Sequence, residues 1–279
     1  MKRIRLLVID PQNDFMDVAG AALPVPGASA DMVRLAGFVD AMAGALDDMV
    51  VTLDSHATVS IERTTFWLDG AGTPVAPFTA ITAAQVVAGE YQVRDGKRSD
   101  DALRYLQALE EGGERTLIVW PVHCVVGTWG HGITPALSDS ITRWERRLGR
   151  NCERVLKGQN TMTEQYSAFR AEVPRPDDPR TLINRLLLER LGGGDDLLVV
   201  AGEALSHCVA ASGQDMLAAF DDQRLRNTVF LTDCASPVSG FEQAGLDFLE
   251  QLRGQGVRTL ETTQVADLMH VRRLLEVDA

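Results

Sequence analysis

The stretch "LLVVAGEALSHCVAASGQDMLAAF" (residues 197–220) decides the fold. Its first six residues are apolar without alternation, as in a strand buried on both faces. Its second half carries the roughly 3.6-residue period of an amphipathic helix. Between them, where strand hands over to helix, sit Ser206, His207 and Cys208.

Working outward, the same rhythm recurs. Apolar runs at 4–10, 49–54, 115–120, 153–158, 196–202 and 227–233, with a weaker one at 256–261, read as strands. Helical periodicity fills 28–47, 100–112, 134–148, 179–192, 207–222, 239–254 and 263–275. Apolar strands each followed by a helix predict one doubly wound α/β domain over 1–279, three layers deep, with a central parallel sheet of about six strands. Residues 57–99 break the rhythm: "FWLDGAGTPVAPFTAITAAQVVAGEYQ" has glycines and prolines but no clear period, and reads as a long insertion, either decorative or a lid over the site. No G-x-G-x-x-G follows the first strand, so a dinucleotide cofactor is not expected.

Composition narrows the function classes. The chain has 279 residues, 45% of them hydrophobic, and a formal net charge of −12. With lysine and arginine scattered, a nucleic-acid partner is not expected. No apolar run approaches the ~20 residues of a membrane span, and the short basic-then-apolar start does not read as a signal peptide. Four widely spaced cysteines without a C-x-x-C pair fit a soluble cytoplasmic protein with reduced thiols. A homo-oligomer remains open.

In a parallel α/β sheet, ligands bind at the carboxyl ends of the strands. Those ends carry Asp10, Asp54 with His56, Trp120 followed by His123 and Cys124, Lys157, and Cys208. At a helix N-terminus a thiolate faces unpaired N–H groups, and Lys157 nearby would also lower the Cys208 pKa. Asp10 would then take or deliver the proton. Asp54-x-His56 has metal-ligand spacing, and His123 offers a third donor. This mixed set suits a divalent metal, zinc first, with iron or manganese as alternatives.

The motifs "VIDPQNDF", "ALPVPGA", "LDSH", "WPVHCVVGT", "KG" followed by "YSAF", and "AGEALSHCV" resemble, in order and spacing, the nicotinamidase/isochorismatase-like cysteine hydrolases. The resemblance runs from about residue 3 to 240. It implies a Rossmann-like hydrolase with a Cys208–Asp10–Lys157 triad and metal ligands at Asp54, His56 and His123. It also implies an aromatic substrate pocket of Phe15, Trp120 and Tyr166. The oxyanion hole would be formed by the backbone N–H groups of Ala204 and Cys208, after a cis Glu203–Ala204 peptide. The implied activity is hydrolysis of a small amide through a thioester, with nicotinamide favoured. Another small amide, carbamoyl or ureido compound is the alternative, and a catalytically silent binding protein is the reading from another class.

Two departures stand out. Many nicotinamidases have a further metal-ligating histidine shortly after the D-x-H, where this chain reads "ATVSIERTTFW" and offers Glu62 as the substitute ligand. They also commonly have an aspartate two residues before the nucleophile, where this chain has Ser206.

Overall fold

A computed structural model of the chain describes residues 4–112, 116–194, 196–265 and 267. In chain order its elements are β1 (Ile4–Ile9), α1 (Ala28–Met42), β2 (Leu46–Asp54), β3 (Trp67–Asp69), β4 (Thr79–Ile81), α2 (Ala83–Val87), β5 (Tyr91–Val93), α3 (Ser99–Glu111), β6 (Leu117–Val119) and α4 (Pro135–Leu148). There follow β7 (Glu153–Lys157), α5 (Arg185–Gly192), β8 (Leu197–Gly202), α6 (Ala210–Ala219), α7 (Asp222–Arg226), β9 (Thr228–Leu231), α8 (Glu242–Gly254) and β10 (Arg258–Leu260).

Six strands form one parallel sheet in the order β10-β9-β8-β1-β2-β7. Strand β1 is central because it is apolar on both faces. Its Leu6 and Val8 pack with Met32, Leu35 and Val39 of α1 and Ile141 and Trp144 of α4. Leu7 and Ile9 point the other way, onto Leu187 and Leu191 of α5, Met216 of α6 and Phe248 and Leu252 of α8. Each such side chain contributes about 1.5–3 kcal/mol by leaving water. Successive strands run outward from β1 in one direction and then, from β8, in the other. The order therefore reverses between β1 and β8, and the crevice beyond their carboxyl ends is where this topology binds ligands.

At that crevice β8 ends on Gly202, with φ 124°. A Cβ there would stand 2.0 Å from the Ile9 carbonyl oxygen, so only glycine lets the two strand ends close. The Glu203–Ala204 peptide that follows is cis, as the resemblance implies.

The sheet has the expected number of strands but a different membership. The run at 115–120 yields β6, which leaves the main sheet and pairs antiparallel with β4. The weaker run at 256–261 supplies the edge strand β10 instead. Strands β3 and β5 form a second small ladder, and these pieces share a core of Ile61, Phe66, Trp67, Tyr105, Leu106, Leu109, Leu117 and Val119. That core reaches past residue 99 to take in α3 and β6. Two expected helices are also divided. Residues 179–192 give a short turn (Pro179–Thr181) and then α5, which Asn184 starts by accepting from the Leu187 N–H. Residues 207–222 begin as a π-helical turn (Leu205–Val209), continue as α6, and stop where Asp221 caps α7. The expected helix at 263–275 falls largely outside the described residues.

Candidate active site

Asp10, Lys157 and Cys208 meet at the β1–β8 crevice, all buried. The Lys157 Nζ lies 2.8 Å from Asp10 Oδ2, 2.9 Å from Asp54 Oδ1 and 3.5 Å from Cys208 Sγ, and it donates to the Gln165 carbonyl at 3.0 Å. Thr52, two residues before Asp54 and so on the same face of β2, donates to Asp10 Oδ1 at 2.6 Å. Gln12 clamps Asp54 through both backbone groups, accepting from its N–H at 2.7 Å and donating to its carbonyl at 2.8 Å. Asp10 itself holds a left-handed φ of 45°, an uncommon conformation for a non-glycine residue.

Burial dominates the acid–base state of this cluster. It raises the Asp10 carboxyl above its ordinary value, although Lys157 pulls the other way. Burial disfavours the Lys157 ammonium, but Asp10, Asp54 and Cys208 more than offset it and hold its pKa well up. For Cys208, burial pushes the thiol well above its ordinary value; Lys157 opposes this, and Asp10 and Asp54 reinforce it. The expected lowering at a helix N-terminus is therefore overturned. Cys208 lies inside the π-wound turn among carboxylates, and desolvation outweighs the pull of the lysine.

The second cluster begins at the other oxygen of Asp54. His56 Nε2 lies 2.7 Å and His123 Nε2 3.4 Å from Asp54 Oδ2. The two loops that carry them, after β2 and after β6, are tied together: His56 N–H donates to the Cys124 carbonyl, and Cys124 N–H donates to Asp14 Oδ2 at 2.7 Å. Gly158, with φ 72°, leaves room for the ring, since a Cβ there would stand 2.7 Å from His56 Cε1. His56 and His123 each offer an imidazole nitrogen to Asp54 Oδ2, and mixed carboxylate and imidazole donors suit a first-row divalent ion, but the three ligand atoms that lie within 4.8 Å of one another are those of Asp54, His123 and Cys124.

Glu62 takes a different place from the one expected. Its carboxylate lies 3.1 Å from His56 Nδ1, the ring nitrogen that does not face Asp54. An ion shared by Asp54 Oδ2 and His56 Nε2 is thus out of its reach, and Glu62 instead orients His56 from behind. Beside it, the fully buried Arg63 places NH1 2.6 Å from His123 Nδ1 and Nε 3.3 Å from Glu62 Oε1. Burial and the Arg63 charge oppose protonation of His56, yet Asp54 and Glu62 carry its pKa up to about 9. Burial, then Arg63, drives that of His123 down to about 3.

The three expected aromatic residues are brought together. Phe15, Trp120 and Tyr166, with Ala204, Cys208 and Val238, line a cavity of about 30 Å³ that also touches Asp54 and His123. Trp120 Nε1 donates to the Tyr166 hydroxyl at 2.8 Å. His207 also lines the cavity, 5.0 Å from Trp120, and two further rings pack behind this wall: Phe241 lies 4.7 Å from His207, and Phe78 5.6 Å from Trp120. His207 adjoins Cys208 in sequence, which was a usable signal. Arg63 and Phe241 had none.

This is the isochorismatase-like α/β fold of the nicotinamidases. The nicotinamidase of Saccharomyces cerevisiae is 23% identical over 256 residues, covering 92% of this chain and 98% of that protein. The yeast structure superposes with a TM-score of 0.64 at 21% identity, over 92% of this chain and 99% of that one. A nicotinamidase/pyrazinamidase of Acinetobacter baumanii superposes at 0.61 with 22% identity, over 95% and 99% of the two chains. The Pyrococcus horikoshii pyrazinamidase, solved in complex with zinc, superposes at 0.55 with 19% identity, over 93% and 99%. No protein-family model matches the chain.

Proposed function

We propose that the protein is a cysteine-dependent amidohydrolase that hydrolyses nicotinamide to nicotinate and ammonia. The observation that carries this reading is Lys157 Nζ, which reaches Asp10, Asp54 and the Cys208 sulfur at once in a buried crevice. The alternative within the same chemistry is another small amide, carbamoyl or ureido compound.

The resting thiol is neutral, so attack requires a proton acceptor within reach. Asp10 serves, since its raised pKa makes it a stronger base than an exposed carboxylate, and a hydrogen bond links it to the thiol. Cys208 Sγ bonds to the amide carbon while its proton passes to Asp10. Lys157 stays charged and keeps the arriving and departing protons on Asp10 rather than on itself. The carbonyl oxygen takes up the electron pair and faces the N–H groups of Ala204 and Cys208; each such donor is worth roughly 10²–10³ in rate. Among the described residues, the Ala204 N–H has no turn or cap hydrogen bond that would compete. When the carbon–nitrogen bond breaks, Asp10 returns the proton to the leaving nitrogen and ammonia departs. Asp10 then deprotonates water, which attacks the thioester, and the thiol is regenerated with the carboxylic acid.

Asp54, His56 and His123 would hold a divalent cation at the end of the aromatic cavity. When bound, that ion supplies a Lewis-acid anchor for a ring nitrogen or for water. Phe15 and Trp120 would sandwich the ring, and Tyr166 would fix the Trp120 plane. A panel of small amides assayed for ammonia release tests the reading. Nicotinamide turnover that exceeds aliphatic and ureido substrates supports it, and turnover of ureido substrates alone would move the assignment to the alternative.

A further inference from the structure

The polar groups around His56 and His123 do not all belong to a simple ligand set. Arg63 is fully buried, and its NH2 has no hydrogen-bond partner. Its NH1 faces the Pro121 carbonyl at 3.2 Å and His123 Nδ1 at 2.6 Å, and its Nε meets Glu62 only as an ion pair. A guanidinium with unmet donors is expensive to bury, because each unpaired donor loses its hydration. Packing alone does not account for it.

We infer that Arg63 is a built-in cation that competes with a divalent metal for the Asp54–His56–His123 cluster, so that this chain takes up its metal weakly and exchangeably. The inference rests on the metal reading above. Its physical basis is charge. Lys157 already stands on Asp54 Oδ1, and Arg63 already answers Glu62. An ion brought to Asp54 Oδ2 would add two positive charges next to a permanent guanidinium that leans on one of its ligands. In a buried site such repulsion is poorly screened. Glu62 and Arg63 therefore act as a pair: one orients His56, and the other lies against the ring nitrogens of His123 that would face a metal, 2.6 Å from Nδ1 and 3.2 Å from Nε2. Both lie in "ATVSIERTTFW", the segment where the chain departs from the pattern of many nicotinamidases.

The test is a calorimetric titration of chelator-stripped protein with Zn²⁺ and with Mn²⁺, for the wild type and for Arg63→Met, Arg63→Gln and Arg63→Lys. The wild type should bind in the micromolar range or more weakly. Removing the charge in the Met and Gln variants should tighten binding by roughly 10–100-fold, the usual reach of groups behind metal ligands. The Lys variant should stay near the wild type. Neutral variants that keep the wild-type circular dichroism spectrum but bind no tighter would overturn the inference. So would a wild-type dissociation constant in the nanomolar range, which settles the matter even if the neutral variants fail to fold. The titration needs no turnover, so an inactive amide panel would leave it standing. Zinc affinity unchanged in both His56→Ala and His123→Ala would instead show that the metal reading itself had failed.

Discussion

The two clusters that share Asp54 are built on opposite plans. Around Cys208, which sits in the turn that follows β8, one cation answers two carboxylates, and Asp10, Asp54 and Lys157 stand at or beside the ends of main-sheet strands. Around His56 and His123, imidazoles and a guanidinium crowd two carboxylates, and the members come from loops. The strand-end cluster is rigid because the sheet register fixes it: Asp54 pairs with Lys157 across β2 and β7, and Ile9 with Gly202 across β1 and β8. The loop cluster is held by hydrogen bonds and by close contact with Gly158.

The sharpest way to break this contrast is at the nucleophile. Cys208→Ala should lower ammonia release by at least roughly 10³-fold with only a modest loss of thermal stability, because the change removes a single buried sulfur atom. Cys152→Ala should keep most activity, since that thiol lies near β7 and is held about 12 by burial. The next largest effect is on stability. Lys157→Met leaves Asp10 and Asp54 buried without their cation and should cost about 3–5 kcal/mol in chemical denaturation. A loss below 1 kcal/mol would mean the carboxylates are protonated at rest.

How much of this was legible in the sequence differs between the clusters for a physical reason. A strand buried on both faces announces itself by an apolar run, and its last residue marks a strand end, so Asp10, Asp54, Lys157 and Cys208 could be placed from pattern alone. Pairing is not announced. The run at 115–120 has the same pattern as β8, yet β4 captures it, because a short apolar strand does not encode which neighbour it will join. Loop residues carry no period at all, so Arg63 and the true place of Glu62 were invisible, and a buried arginine runs against ordinary burial preferences. The Cys208 pKa differs for another reason: a helix start and a nearby lysine can be guessed from sequence, but the depth of burial that raises the thiol cannot.

The loop cluster gives a pH-dependent test. The folded His56 pKa of about 9 stands above the ordinary 6.5. Its protonation therefore stabilises the metal-free fold fully below pH 6.5, and that contribution disappears as pH rises through about 9. Wild-type and His56→Gln proteins, stripped of metal, should differ most in denaturation midpoint at the acid end of this window and converge at its alkaline end. A gap that widens towards pH 9 would show that His56 is neutral in the fold.

The smallest expected effect lies at the aromatic wall. Phe78, half exposed, packs edge-on against Trp120 and is one of the contacts between the 57–99 segment and the pocket wall. Such ring pairs are worth about 0.5–1.5 kcal/mol beyond burial. Phe78→Ala should raise KM for nicotinamide several-fold with kcat nearly unchanged. A fall in kcat at constant KM would place the segment in the chemistry rather than in binding.

The most direct test of the central claim is to acid-quench the enzyme while it turns over nicotinamide and locate the acyl group by peptide mass spectrometry. The account predicts a hydroxylamine-sensitive nicotinoyl adduct on the peptide that contains Cys208. The same adduct on the peptide of Cys124, with Cys208 unmodified, would contradict it.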